Sequence, residues 1–296
     1  MKEIVVISGK GGTGKTSLAA SLACLAGNVV LADCDVDAAD LHLLLQPRIR
    51  ASHEFCGGKK AVIDSDLCTG CGRCHEVCRF KAIEVGPPTS GQKPPTYRVN
   101  QIACEGCKVC VALCPAKAIA FNDHVNGQWF VSDTRLGPMV HARLGIAEEN
   151  SGKLVTVIRR RAREIAVAEK KEWLIVDGSP GVGCPVIASL TGADLALVVT
   201  EPTLSGRHDL GRVVELTKQL RIPTLVCINK ADINPEVASQ IQADAQDHGL
   251  TLVGQLPYCD SFTKAQMLQV TLVEYTAGAL TGQIKDMWRQ IVYAAG

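Results

Sequence analysis

Eight of the fourteen cysteines fall in two runs of one spacing: Cys68, Cys71, Cys74 and Cys78, then Cys104, Cys107, Cys110 and Cys114. Each run reads C-x2-C-x2-C-x3-C, and the second begins 36 residues after the first. Thiolates spaced this closely are soft anionic donors, and without a secretory leader they read as metal ligands in a reducing compartment rather than as disulfides. A different chemistry stands upstream. Gly9-Lys10-Gly11-Gly12-Thr13-Gly14-Lys15-Thr16 satisfies G-x4-G-K-[ST], a loop whose backbone N–H groups wrap phosphates. Lys15 is expected to reach the β- and γ-phosphates and the Thr16 hydroxyl to ligate Mg²⁺. Gly11, Gly12, Thr13, Gly14 and Ser17 complete the expected cradle. Asp177, at the end of the apolar run Leu174-Ile175-Val176, suits the carboxylate that holds Mg²⁺ directly or through water.

These groups need a scaffold, and 296 residues suffice for one α/β domain with a large core plus a small extra unit. A hydrophobic fraction of 47% and a charged fraction of 21% are those of an ordinary soluble globular protein. The net charge of +1 argues against a broad surface for nucleic acid or anionic lipid. No apolar run approaches the ~18 residues that span a bilayer. The expectation is a cytoplasmic protein with no nucleic-acid partner and no membrane insertion.

Apolar run 4–7, the glycine loop, the Ala/Leu-rich stretch 17–26 and apolar run 29–32 make a βαβ opening, which requires a parallel sheet. An acidic cluster follows, with Asp33, Asp35, Asp37 and Asp40. From about 52 to 129 the alternation breaks and the cysteine runs take over, with proline-rich turns at 86–88 and 93–95. Asn126-Gly127 is a hairpin signal for the return to the main sheet. Afterwards strands are expected at 154–158, 173–177, 195–200, 224–229 and 252–256. Helices are expected at 159–171, 205–220, 235–248 and 272–294. The reading is a doubly wound, mostly parallel α/β sheet in three segments: 1–51, an insert at 52–129, and 130–296.

The cysteine spacing resembles the bacterial ferredoxin run, whose two-cluster versions lend the fourth cysteine to the other cluster. That resemblance implies one [4Fe–4S] cluster on Cys68, Cys71, Cys74 and Cys114, and a second on Cys104, Cys107, Cys110 and Cys78. Lys81-Ala82-Ile83 recurs as Lys117-Ala118-Ile119, so the repeat reaches beyond cysteine. Structural zinc prefers separated cysteine pairs to three close thiolates twice over. The repeat departs at one point: Pro115 follows Cys114, but Arg79 follows Cys78, and its charge should favour the reduced cluster. His75 is not needed as a ligand and is expected to face solvent.

Lys10 gives the phosphate loop a second resemblance, to the deviant Walker A loop of the MinD/ParA/nitrogenase-iron-protein ATPases. It implies that Lys10 crosses a nucleotide-sandwich dimer to the partner's phosphates and that Asp35 orients the attacking water. Residues 177–183 would be the second switch. Asn229, Asp232 and Pro257 would lie in the base-binding region; Asn229-Lys230-Ala231-Asp232 does not itself separate ATP from GTP, and the resemblance favours ATP. Cys184 follows Asp177 at the spacing of an iron-protein cluster ligand, but the second such cysteine has no counterpart, and an inert thiol is expected. Arg159-Arg160-Arg161-Ala162-Arg163 reads as a solvated helix face.

As a whole the chain resembles MinD-superfamily P-loop ATPases that carry an inserted ferredoxin domain, including those associated with the orange protein. The resemblance implies ATP, Mg²⁺ and two [4Fe–4S] clusters as cofactors. It implies a homodimer, or a heterodimer with a related ATPase, and a metallocluster-handling or redox partner protein. The expected function is coupling of ATP-dependent dimerisation to electron transfer or cluster assembly. The alternatives are a MinD/ParA-type positioning ATPase, for which helical residues 283–294 would supply an amphipathic face, and a nucleotide-regulated electron carrier.

Overall fold

Strands buried on both faces read as continuous apolar runs, and those of this chain stack into a parallel sheet. The computed structural model describes residues 1–86, 95–145 and 151–296. Its strands are β1 (Lys2–Ser8), β2 (Val29–Asp33), β3 (Arg48–Phe55), β4 (Gly58–Ile63), β5 (Ile83–Val85), β6 (Tyr97–Val99) and β7 (Ile119–His124). Then come β8 (Gly127–Thr134), β9 (Gly137–Leu144), β10 (Trp173–Pro180), β11 (Leu195–Thr200), β12 (Thr224–Asn229) and β13 (Thr251–Leu256). The helices are α1 (Lys15–Ala26), α2 (Leu41–Leu45), α3 (Arg73–Val77), α4 (Val109–Leu113), α5 (Ser151–Ala168) and α6 (Cys184–Leu190). They continue as α7 (Leu204–Gln219), α8 (Pro235–Asp247), α9 (Ser261–Met267), α10 (Leu272–Tyr275) and α11 (Ala279–Ala295).

The main sheet runs β13-β12-β11-β1-β10-β2-β9-β8-β3. All pairs from β13 to β9 in that order are parallel. Its central strands are fully buried, with Ile4, Val6, Ile175 and Leu197 in one core cluster. Register sets up the chemistry: Asp177 on β10 lies beside Asp33 on β2, so two acids share the carboxyl edge of the sheet where such folds bind ligands.

Three expectations need correction. Residues 154–158 are not a strand but the second turn of α5. Their β-branched residues suggest a strand locally, yet burial continues through Leu154, Val155, Ile158, Ala162 and Ile165, a helical period. The closing helix is two, α10 and α11, separated at Thr276–Gly278, and a capping box at Thr271 and Glu274 starts the first. Asn126-Gly127 is not a hairpin turn. It separates β7, paired with β4, from β8 of the main sheet, and the buried Asn126 side chain accepts the Gly57 N–H at 2.7 Å. The turn-rich link at 87–94 lies outside the described residues.

The stripe on α11 is used in packing. Ile284, Met287 and Ile291 are buried in the main core, and Trp288 meets Trp173 edge-on at 5.0 Å. Among the described residues no helix is long and apolar enough to cross a membrane. The arginine run splits by face. Arg159 is buried against Glu3, with further bonds to the Ala188 and Thr191 carbonyls, and Arg163 reaches the same Glu3 one turn on. Arg160 and Arg161 pair with Glu164 at the surface. A buried acid on β1 thus claims half of a run that reads as solvated.

Contacts divide the chain into two units: Met1–His53 with Trp129–Arg143 and Ser151–Gly296, and Glu54–Gln128 with Leu144–Asn150. In the second unit β4 pairs antiparallel with β7, and β5 with β6. Short helices α3 and α4 repeat at the spacing of the cysteine runs. The backbone repeats too, with Gly70 and Gly106, Gly72 and Lys108, and Lys81 and Lys117 all at positive φ.

On β9 of the main sheet, burial holds the His141 imidazole neutral and lowers its pKa from 6.5 to about 4, with His42 contributing. Its Nε2 lies 2.8 Å from Ser132 Oγ. The unfolded chain binds this proton from pH 6.5 downward and the folded chain does not until about 4, so stability falls as pH drops through that window. Urea midpoints at pH 7 and 5 should show this fall, and it should shrink in His141→Gln.

Candidate functional site

The glycine loop joins β1 to α1 at the carboxyl edge of the sheet. Gly14 adopts φ 87°, and a Cβ there would lie 2.4 Å from Asn229 Nδ2, so only glycine fits. Gly14 is also the N-cap of α1, with no side-chain cap and no acid in the first turn, which leaves the helix N–H groups open to phosphate. The Thr13 hydroxyl is buried without a hydrogen-bond partner, an orphan within this loop.

Four of the expected residues converge. Lys15 Nζ lies 2.5 Å from Asp177 Oδ1 and 3.4 Å from Asp35 Oδ2, and the Thr16 hydroxyl donates to Asp177 Oδ2 at 2.7 Å. Burial disfavours charge on Lys15, but Asp177 and Asp35 outweigh it and lift its pKa above the ordinary lysine value. Burial raises the Asp35 carboxyl, with Lys15 opposing. Asp33 is pushed up further, by burial and then by the Asp177 charge; its oxygens accept the Asp35 and Leu41 N–H groups at 3.2 Å each. Asp33 therefore shapes the loop that carries Asp35. Asp37 and Asp40 are not drawn into this cluster by any hydrogen bond or ion pair among the described contacts.

The two loops that flank the site are tied together. The Cys34 N–H donates to the Asp177 carbonyl at 2.8 Å, and the Ser179 hydroxyl donates to the Cys34 carbonyl at 2.7 Å. The backbone beside Asp35 is thus held to the strand end that carries Asp177.

The other expected residues sit differently. Lys10 bends back onto its own chain, 2.7 Å from Glu201 Oε1. Asn229 is a brace: Nδ2 donates to the Thr13 carbonyl at 2.8 Å and Oδ1 accepts the Lys230 N–H at 3.0 Å. Through these two bonds Asn229 holds the phosphate loop. Asp232 Oδ1 accepts the Tyr258 N–H at 2.5 Å and thereby fixes the turn after Pro257. Ser17 contributes its carbonyl to the Ser21 hydroxyl. Cys184 is exposed at the start of α6.

Glu201 escaped the sequence reading, and Lys230 entered it only as part of the Asn229–Asp232 motif. The Lys230 ammonium donates to the Gly12 carbonyl at 2.9 Å and to Glu201 Oε2 at 3.0 Å. The available signal was position: Glu201 directly follows β11, on the same edge as the phosphate loop.

The sequence profile of the CobQ/CobB/MinD/ParA nucleotide-binding domain matches residues 4–272. This chain belongs to that family. Its members are ATPases, and this chain is one of them. An uncharacterized protein of Methanocaldococcus jannaschii, MJ0578, is 37% identical over 236 residues, covering 78% of this chain and 79% of that protein. A second, MJ0579, is 27% identical over 265 residues, covering 79% and 82%. Among solved structures, the fold resembles MinD of Pyrococcus horikoshii complexed with Mg-ADP (TM-score 0.57, 16% identity, covering 100% of this chain and 97% of that one). It also resembles the McdA(D38A)–ATP complex of Cyanothece (TM-score 0.52, 14% identity, covering 99% and 96%).

The second unit holds two clefts. One is lined by Cys68, Cys71, Cys74 and Cys114, with Ile63, Tyr97 and Ile119 around them. The other is lined by Cys78, Cys104, Cys107 and Cys110, with Phe80, Ile83 and Val99. Each takes three cysteines from one run and the fourth from the other. The Sγ atoms of Cys78 and Cys114 accept the Ala82 and Ala118 N–H groups, both at 3.3 Å. His75 is exposed, and its ring also engages the backbone, with Nδ1–H donating to the Ile83 carbonyl at 2.6 Å. Among the described residues no group of three or more His, Cys, Asp or Glu is arranged to hold a metal ion.

Proposed function

We propose that this ATPase couples nucleotide-dependent dimerisation to electron transfer or metallocluster delivery through two [4Fe–4S] clusters in its second unit. The observation that carries the reading is the crossed lining of the two clefts, each with four thiols and apolar cover. An all-sulfur donor set suits iron–sulfur clusters, and the crossed pairing is that of two-cluster ferredoxins. The paired N–H···S bonds offer each fourth thiolate a backbone donor. The buried hydrophobic cluster of this unit is small, centred on Ala61, Cys74, Ile83 and Ile119, and units of this size usually need a staple. The segment 52–129 is then an inserted ferredoxin domain, between ATPase segments 1–51 and 130–296, the arrangement that the resemblance to orange-protein-associated ATPases implies. The clusters would supply one-electron chemistry, held by the two crossed cysteine sets.

At the nucleotide site Thr16 and Asp177 would hold Mg²⁺, which supplies charge neutralisation to the phosphates. Lys15 pairs with both Asp177 and Asp35. When triphosphate arrives Lys15 transfers to the phosphates, Asp35 is released, and its carboxylate orients the attacking water. Lys10 reaches the partner's phosphates in a dimer of identical chains or with a related ATPase. Asn229 and Asp232 hold the loops that shape the nucleotide pocket, with the base beside Pro257.

Lys10→Ala should lower Mg²⁺-dependent ATP hydrolysis roughly a hundredfold, the loss typical for one transition-state donor. It should also abolish dimerisation with a non-hydrolysable analogue, read by sedimentation. The coupling itself is tested by re-oxidation rates of the reduced, anaerobically purified protein with ATP and with ADP. Identical rates, or ATP-dependent liposome binding that survives cluster removal, would turn the reading toward a positioning ATPase.

A further inference from the structure

We propose that Glu201 is a latch that keeps Lys10 within its own chain and so sets how readily two nucleotide-loaded copies pair. This rests on the reading of Lys10 as the residue that crosses to the partner. An ammonium has three protons and no acceptor. Lys10 Nζ lies 2.7 Å from Glu201 Oε1, 3.0 Å from Thr203 Oγ1 and 3.1 Å from Ser205 Oγ. All three donors are therefore taken in cis, and reaching a partner's phosphate requires giving up all three.

The acceptors are themselves held in place. Thr203 is the N-cap of α7, where its Oγ1 also accepts the Gly206 N–H at 2.9 Å. A Cβ on Gly206 would lie 2.4 Å from the Glu201 carbonyl, so helix and latch are packed together by the absence of a side chain. The Glu201 carboxylate is only 16% exposed and takes one lysine on each oxygen, Lys10 on Oε1 and Lys230 on Oε2. Burial disfavours its charge, but the hydrogen bonds from Lys10 and Lys230 hold its pKa below the usual range. Through Lys230 the same carboxylate is tied to the Gly12 carbonyl of the phosphate loop. Movement of that loop is thus transmitted to the group that restrains Lys10.

The latch competes with the dimer. Glu201→Gln keeps the shape and removes the charge, and charge-assisted hydrogen bonds of this kind are worth about tenfold or more in an equilibrium. In the cluster-loaded full chain with saturating Mg²⁺ and AMPPNP, the dimer dissociation constant of Glu201→Gln should fall about tenfold by sedimentation. Ser205→Ala, which removes one neutral acceptor, should lower it by roughly twofold to threefold. A dissociation constant unchanged or raised in both variants overturns the latch. Lys10→Ala keeps the two ideas apart: if it dimerises like the wild type, the crossing role of Lys10 fails. If it stays monomeric while Glu201→Gln matches the wild type, only the latch fails.

Discussion

Lys15→Met should abolish measurable ATP turnover, a loss of about a thousandfold or more, and at the same time destabilise the nucleotide-free chain. The first effect follows from its place in the phosphate loop. The second follows from what Lys15 does before nucleotide arrives. It is 6% exposed and faces Asp177, which is fully buried, and Asp35. Removing one partner of a buried pair leaves the other uncompensated, which typically costs about 3–5 kcal/mol. Asp33 adds to the strain, since its carboxyl already feels the Asp177 charge. In a chain of this size that cost corresponds to a fall of roughly 10 °C in Tm. The double variant Lys15→Met/Asp177→Asn should regain much of the lost Tm and none of the turnover. A Lys15→Met chain that melts with the wild type would show that Asp177 needs no counter-charge, and one that still hydrolyses ATP would remove the loop from the chemistry.

Much of this arrangement was legible in the sequence because it is local. The phosphate loop, its strand and its helix follow one another directly, and the buried strands β1, β11 and β12 announce themselves as apolar runs. The edge strand β3 was not legible. Arg48–Phe55 exposes nearly every residue and lacks the alternation that marks a half-buried strand. The strand expected at 154–158 failed because a window of five β-branched and apolar residues cannot separate the two periods; the longer span could. What a side chain meets across the sheet was the least legible. Arg159 turns inward because Glu3 lies buried on β1, and Asn229 braces Thr13 rather than facing outward, although both motifs were visible as strings. Lys10 shows the same limit: its type and position mark it as functional, but its three acceptors follow a strand far along the chain.

The crossed cysteine sets make a demand that composition alone does not. Anaerobic protein should hold about eight iron atoms per chain, and Cys68→Ala or Cys114→Ala alone should each leave about four. Combining Cys68→Ala with Cys114→Ala should remove nothing further, because both line one cleft. Combining Cys68→Ala with Cys78→Ala should empty both sites, because Cys78 lines the other cleft with Cys104, Cys107 and Cys110. Groups that share a site are non-additive and groups that do not are additive, so the iron count of the two double variants reads the pairing directly. If each run instead served its own cluster, the outcome would reverse: the Cys68/Cys78 variant would keep about four irons and the Cys68/Cys114 variant would keep none. The reversed result would separate the lining of the clefts from metal binding, and a chain with no iron in any variant would leave ATP hydrolysis as its only chemistry.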